Sequence, residues 1–417
     1  GMYLLSKNIF RFSDKTNLFL SALYIFSPKL SAYIEAGHLG LIYSYAWLPW
    51  TLFLVVSLAK KPTIRKSIFL ATCLSALFFT HILIFLISII VLLLIYTYTT
   101  LKYKTSLKRN LIYILTTLVF NFCFMAIALL PQLEWSNQTT RFLLIANKDI
   151  YPKWLGFSEF IKSSTSPILY GYKYLWGLDT EKYTVIGIGV LVLSTIGFLT
   201  LKKSNKIITC LIISTVMLIV LNNISPINFF LLTQKWFSLI RVSTRFWFIV
   251  LFFILYLAGL GFEKIGKYRL FRYLAVIACI ELLLTSWIIV MRPFNENHDL
   301  VSDQIYEFLV RDKDNFRVLC TTKCLSQKKL AMYNIQSTDG YGTLQQKNYY
   351  DYSQQLYQAF WRNRYTLAIP PYEIYNYEKL IPYPPSLTAL NVKYVISPYE
   401  INRQKLTLIY KIDGYLI

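Results

Sequence analysis

The sequence predicts an α-helical polytopic membrane protein of about nine spans, followed by a small extracytoplasmic α/β domain. Three observations predict it. The chain is 55% hydrophobic and only 15% charged, with a mean hydropathy of +0.45, whereas a soluble domain is about 25% charged. Its apolar runs approach the roughly 20 residues that carry a helix across a bilayer. Its cations gather in the short loops between those runs, as cytoplasmic loops require.

Lys7, Arg11 and Lys15 form a first basic stretch, read as cytoplasmic. Asn17 to Ile34 is an apolar span broken by Pro28, ending outside at Glu35-Ala-Gly-His38-Leu-Gly40. Leu41 to Ala59 returns to the basic loop Lys60 to Lys66. Ser67 to Thr99 is too long for one ordinary span, so two helices are expected to meet near Thr80-His81, on the outside. A second basic loop, Lys102 to Arg109, leads into Leu111 to Leu130, which stops at Pro131. The long polar and aromatic loop 132–183 follows. Thr184 to Leu201 goes in and Ile207 to Leu221 comes out, with Lys202, Lys203 and Lys206 between them. After the loop 222–245, Phe246 to Phe262 goes in, and Tyr273 to Met291 comes out past the basic loop Lys264 to Arg272. Every Lys/Arg cluster in a short loop then falls on one side of the membrane. A count wrong by one span would scatter them over both.

The transmembrane domain is thus 1–291 and the soluble domain 292–417. From Arg292 onward there are 15 Lys and Arg against 12 Asp and Glu, and before it 28 against 9. Of the net charge of +22, +19 therefore lies in the membrane part and +3 in the soluble domain, and no nucleic-acid partner is needed to explain it. In the soluble domain, Phe316 to Thr321 and Val392 to Ser397 read as strands, and Leu406 to Tyr410 before Asp413-Gly414 reads as the start of a closing hairpin. Cys73, Cys123, Cys210 and Cys279 lie in apolar runs as small core residues. Cys320 and Cys324 stand together in a polar region and can pair if it is extracytoplasmic. No second cysteine pair or neighbouring His completes a zinc site there. The chain opens on Gly1 without a signal peptide and is read as a fragment.

The candidate site residues sit at the outer ends of spans. Arg241 and Arg245 occupy an aromatic, basic loop that runs without a spacer into the apolar stretch from Phe246. Arg presents a planar fork that pairs with phosphate in a bidentate way, and a lipid-linked phosphate has its headgroup at that depth. The plainer reading is a pair of interface anchors. Glu35 and His38 flank a turn between helices, where they bind a headgroup, coordinate a metal, move a proton or simply make a polar turn. Two such groups fall short of the three or four ligands of a metal site, and no divalent metal is indicated. Glu134 and Arg141 bracket LEWSNQTTR beyond Pro131 and either line a cleft or form a solvated pair. Glu281, inside an apolar helix, is a functional candidate by its position, or else hydrogen-bonds to a neighbouring helix. Glu263 reads as a surface ion pair. The tyrosines from Tyr349 to Tyr377 either stack sugar rings or pack the domain. No nucleophile elbow, P-loop or HExxH motif occurs.

Six segments in order carry a resemblance: GMYLLSKNIF; SPKLSAYIEAGHLGLIYSYAWLPW; LLPQLEWSNQTTR; TVIGIGVLVLS; SPINFFLLTQKWFSLIRVSTRFWFIVLFFILYLAGLGFE; and LTALNVKYVISP. Together they resemble the bacterial GT-C-type membrane glycosyltransferases, especially the YfhO-like group and the membrane proteins described as 6-pyruvoyl-tetrahydropterin synthase related. The resemblance implies a GT-C-like fold in the bacterial cytoplasmic membrane. It also implies a polyprenyl-phosphate-linked sugar as donor and transfer to an extracytoplasmic glycan or lipid acceptor. In such families a catalytic Asp lies in the first outer loop, which here would precede Gly1, so no catalytic residue carries over. Arg241 and Arg245 would hold the lipid phosphate, with Glu35, His38, Arg141 and Glu134 lining the cleft. The alternative is a non-catalytic carrier of lipid-linked glycan, or an assembly scaffold, that keeps the fold.

Overall fold

A computed structural model describes residues 1–139, 156–177, 180–220, 243–265, 268–292, 301–321, 324–338, 346–349, 351–352, 382–401, 406–412 and 414–417. The chain divides into two compact units. One comprises Gly1–Leu130 and Tyr151–Arg292, the other Pro131–Ile150 and Pro293–Ile417.

The first unit is helical. Its elements are α1 (Met2–Leu5, running into a wider turn at Ser6–Phe10), α2 (Asp14–Ile25), α3 (Pro28–Glu35), α4 (Leu39–Lys60), α5 (Ile64–Thr80) and α6 (Ile82–Lys102). They continue as α7 (Leu107–Ser136), α8 (Phe157–Ser164), α9 (Tyr172–Gly177), α10 (Ile188–Thr200), α11 (Lys203–Val220), α12 (Trp247–Ile265) and α13 (Arg269–Val290). Five helical stretches are long and apolar enough to cross a membrane: Leu39–Lys60, Ile82–Lys102, Leu107–Ser136, Thr244–Ile265 and Tyr273–Val290.

Several expectations are refined for local reasons. The first expected span is two short helices, because Pro28 lacks an N–H and starts α3 afresh at its first position. The long run after Ser67 does split at His81, whose backbone is extended while its Nδ1 accepts the Ile84 N–H at 3.4 Å and so caps α6. By contrast, α7 does not stop at Pro131 but passes through it to Ser136. The expected span from Thr184 is helical only from Ile188. Gly187 takes φ +86°, and the Glu281 carboxylate accepts the N–H groups of Ile188 and Gly189 at 3.0 and 3.2 Å. Glu281 thus bonds to a neighbouring helix by satisfying the free donors at the start of α10. The surface ion pair expected of Glu263 is not found among the described residues. Its carboxylate instead accepts the Ser13 N–H at 2.7 Å and the Thr16 hydroxyl at 2.6 Å, which fixes the start of α2. Cys73 is buried as expected, but Cys123 and Cys210 are exposed on the outer faces of α7 and α11.

Helices of the first unit pack through small residues and polar bonds, the means available where apolar burial alone does not discriminate. On α10 and α12, Gly197 and Gly261 face each other so closely that a Cβ on either would lie 1.9 or 2.0 Å from a carbonyl oxygen of the other helix. Asn121 of α7 donates to Ser75 of α5 at 2.8 Å, and Ser194 of α10 donates to the Ile254 carbonyl of α12 at 3.1 Å. One end of this bundle gathers basic loops: Arg109 donates to the Pro62 carbonyl at 3.1 Å, and Lys60 lies 4.9 Å over the Tyr103 ring. The other end joins the start of α4 to the α5–α6 junction, where the Ser44 and Thr80 hydroxyls meet at 2.9 Å.

The second unit is α/β. Helix α14 (Asp303–Arg311) buries Ile305, Tyr306 and Leu309 in a core shared with Val318 and Ile396. Strands β1 (Arg317–Cys320), β2 (Gln336–Ser337) and β3 (Val392–Ile396) form a parallel sheet in the order β2-β1-β3. Helices α15 (Gln327–Met332) and α16 (Pro384–Ala389) precede β2 and β3. The closing hairpin is β4 (Lys411–Ile412) with β5 (Tyr415–Leu416), so its strands begin after the expected Leu406 to Tyr410. Cys320 and Cys324 are joined as a disulfide. The stretch 131–139 belongs to this unit and bridges from Thr139 to Gln346. Of the tyrosines between 349 and 377, Tyr349 and Tyr352 donate to the Thr338 and Ser386 carbonyls, and the others lie outside the described residues.

Candidate functional site

The site lies at the end of the bundle away from the basic loops. It is built on α3 and the turn after it. Gly37 takes φ +69°, open to glycine at no steric cost. The His38 N–H then closes on the Tyr33 carbonyl at 2.9 Å. The turn sends Glu35 and His38 to different partners. Glu35 pairs with Arg292, just past the end of α13, at 3.3 Å. His38 Nε2 faces the Glu181 carboxylate at 3.4 Å.

Glu181 is the hub. The same Oε1 accepts from Arg245 Nη2 at 3.3 Å. Its backbone carbonyl accepts from Lys29 Nζ at 2.6 Å and from the Thr244 hydroxyl. Lys29 is fully buried in α3, 5.0 Å over the Tyr33 ring. A buried ammonium is costly without such partners. Three separate stretches of sequence therefore converge on one loop residue: α3 with its turn, the Thr180–Lys182 turn, and the Ser243–Phe246 turn that opens α12.

Arg245 is mostly buried, and its Nε has no hydrogen-bond partner among the described residues. A buried guanidinium N–H in this state still wants an acceptor oxygen. His81, between α5 and α6, is close enough to feel Arg245. Burial first and the Arg245 cation second push its pKa down to about 4. It is thus neutral near pH 7 and adds a dipole to the site rather than a charge.

Of the residues singled out from sequence, Glu35, His38 and Arg245 share this end of the bundle. Arg241 and Arg141 lie outside the described residues. Glu134 is exposed near the end of α7, in the stretch that belongs to the second unit, with no ion pair among the described residues. Sequence reasoning missed Lys29, Glu181 and Arg292. Lys29 was findable, as a cation directly inside an apolar span. Glu181 and Arg292 carry no local signal, and only folding brings them in. Among the described residues, no three His, Cys, Asp or Glu side chains gather as metal ligands do.

Compared with family models, curated proteins and solved structures, the chain matches none.

Proposed function

We propose that the protein is a membrane glycosyltransferase of GT-C type that takes a sugar from a polyprenyl-phosphate donor and passes it to an extracytoplasmic glycan or lipid acceptor. One observation carries the reading. Arg245 stands at the mouth of an apolar helical bundle, mostly buried, with its Nε unpartnered among the described residues. A lipid phosphate suits this arrangement: its chain would lie among apolar helices while its oxygen takes the unpartnered guanidinium donor. The cation then stabilises the charge that develops on the departing phosphate. The reading keeps nine spans, a bacterial cytoplasmic membrane, and the second unit on the extracytoplasmic side, with basic loops inside. The six-segment resemblance supports the same assignment.

A second reading, a non-catalytic carrier or scaffold, is favoured by Glu181, which already supplies a counter-charge to Arg245. The two separate in one experiment on the full chain in membrane vesicles, given polyprenyl phosphates carrying radiolabelled glucose, mannose or galactose. The enzyme moves label into glycan, and Arg245→Gln abolishes donor binding. Binding without transfer supports the carrier. Binding unchanged by Arg245→Gln removes the role of that residue.

A further inference from the structure

Resting on the glycosyltransferase reading, we propose that Glu181 is a built-in competitor of the donor phosphate: its carboxylate occupies Arg245 in the unliganded protein, and the phosphate binds by taking its place. The observation is an incomplete match between the two side chains. Nε and Nη2 share one edge of a guanidinium, and that edge offers two parallel N–H donors to a carboxylate or a phosphate. Glu181 uses one of them. Its Oε1 accepts from Arg245 Nη2 at 3.3 Å, longer than the roughly 2.7–2.9 Å of a tight charge-assisted bond. Nε, on the same edge, is buried and has no hydrogen-bond partner among the described residues. A buried donor left in that state is costly.

The fold explains why the pair forms and why it stays loose. The Arg245 side chain is 17% exposed and that of Glu181 10%. A guanidinium this far from water requires a counter-charge, and Glu181 supplies it when no ligand is present. The Glu181 backbone, however, is tied down. Lys29 Nζ and the Thr244 hydroxyl both donate to its carbonyl, and Thr244 is the residue next to Arg245. The carboxylate therefore reaches the guanidinium from a fixed anchor and meets one donor of the edge. A phosphate carried in on a lipid has no such tether. Two of its oxygens can take Nε and Nη2 together, so the exchange replaces one long bond by a bidentate pair. The displaced carboxylate needs only to rotate about its own side chain. It keeps its backbone bonds and moves toward the open side of the cluster, where the His38 imidazole is 41% exposed.

The consequence is that donor affinity is a difference between two anions on one cation, and Glu181 sets it below what Arg245 alone would give.

The test measures binding and transfer by the full chain in membrane vesicles, with undecaprenyl phosphate and with the same labelled sugar donors. Glu181→Gln should bind undecaprenyl phosphate at least about tenfold more tightly than wild type, within the range of couplings between contacting groups. It should also lower KM for the labelled donor while kcat stays within about threefold, the pattern of a changed ground-state affinity. Arg245→Gln should not bind, and adding Glu181→Gln to it should restore nothing. Glu159→Gln removes a carboxylate that pairs with Lys182 of the same turn at 3.4 Å, and it should change binding by less than about twofold. Glu181→Asp keeps the charge but shortens its reach, so it should tighten binding by an intermediate amount, and it decides the matter if Glu181→Gln does not fold. Wild-type or weaker binding in the folded Glu181 variants, or equal tightening in Glu159→Gln, overturns the competitor role and leaves the glycosyltransferase reading standing. If wild type and the Glu181 variants bind none of these phosphates and transfer no sugar, the glycosyltransferase reading itself is overturned, and the competitor role with it.

Discussion

At the scale of single residues, this chain uses its charges in two ways. In the helical unit they are few, and those in apolar surroundings are matched to particular partners. Lys29 is tolerated in an apolar helix because a carbonyl, a hydroxyl and an aromatic face surround its ammonium. Glu281 and Glu263 serve as caps that the sequence spacing does not reveal. Among the described residues of the second unit most charges are exposed. Lys393 first and Tyr394 second hold the Asp312 carboxyl down at about 2, below its ordinary value of 3.8. A depressed carboxyl contributes stability that is complete above its unfolded value and disappears as pH falls through the folded one. Hydrogen exchange of the β1 and β3 amides should therefore accelerate between about pH 4 and pH 2. In Lys393→Met the folded value should return toward 3.8, and the acceleration between about pH 4 and pH 2 should shrink. An identical profile in the variant would mean that the pair does not couple to folding.

Elements in the helical unit meet where side chains are smallest. The α10–α12 crossing depends on Gly197 and Gly261, since any Cβ there would overlap a facing carbonyl. Gly197→Val must push α10 and α12 apart, and overpacking of this kind costs about 1–3 kcal/mol. The expected result is a lower unfolding temperature in detergent than for Thr195→Val, a change on the exposed face of the same helix. Equal unfolding temperatures for the two variants would show that the crossing is looser than described. Because α12 opens on the turn bearing Thr244 and Arg245, Gly197→Val should also weaken donor binding.

At the scale of the whole chain, the basic loops mark one end of the helical unit and the Glu181 cluster marks the other. The proposed topology puts those ends on opposite sides of a membrane. Single cysteines at Lys61, Lys104 and Lys328, in a chain lacking its other free thiols, give the test. The first two should react with an impermeant maleimide only after permeabilisation, and the third in intact cells. Reaction at position 328 only after permeabilisation would put the second unit inside and overturn the proposed direction of transfer. An extracytoplasmic placement also accords with the Cys320–Cys324 disulfide, a bond that persists in oxidising compartments.

The membrane character, the helix run from Leu41 to Leu130, the break at His81 and the strands at Val318 and Val392 were legible in the residues themselves. Apolar length, charge placement and alternation are local properties, written along the chain. Glu35, His38 and Arg245 were legible as polar residues at helix ends, but not in their pairing. The site itself was decided by tertiary structure. Glu181 lies 143 positions from His38 and 64 from Arg245, and no sequence period relates them. Only the packing of apolar helices brings those three loops together, because burying an ammonium and a guanidinium at one bundle end requires a carboxylate and a carbonyl within reach.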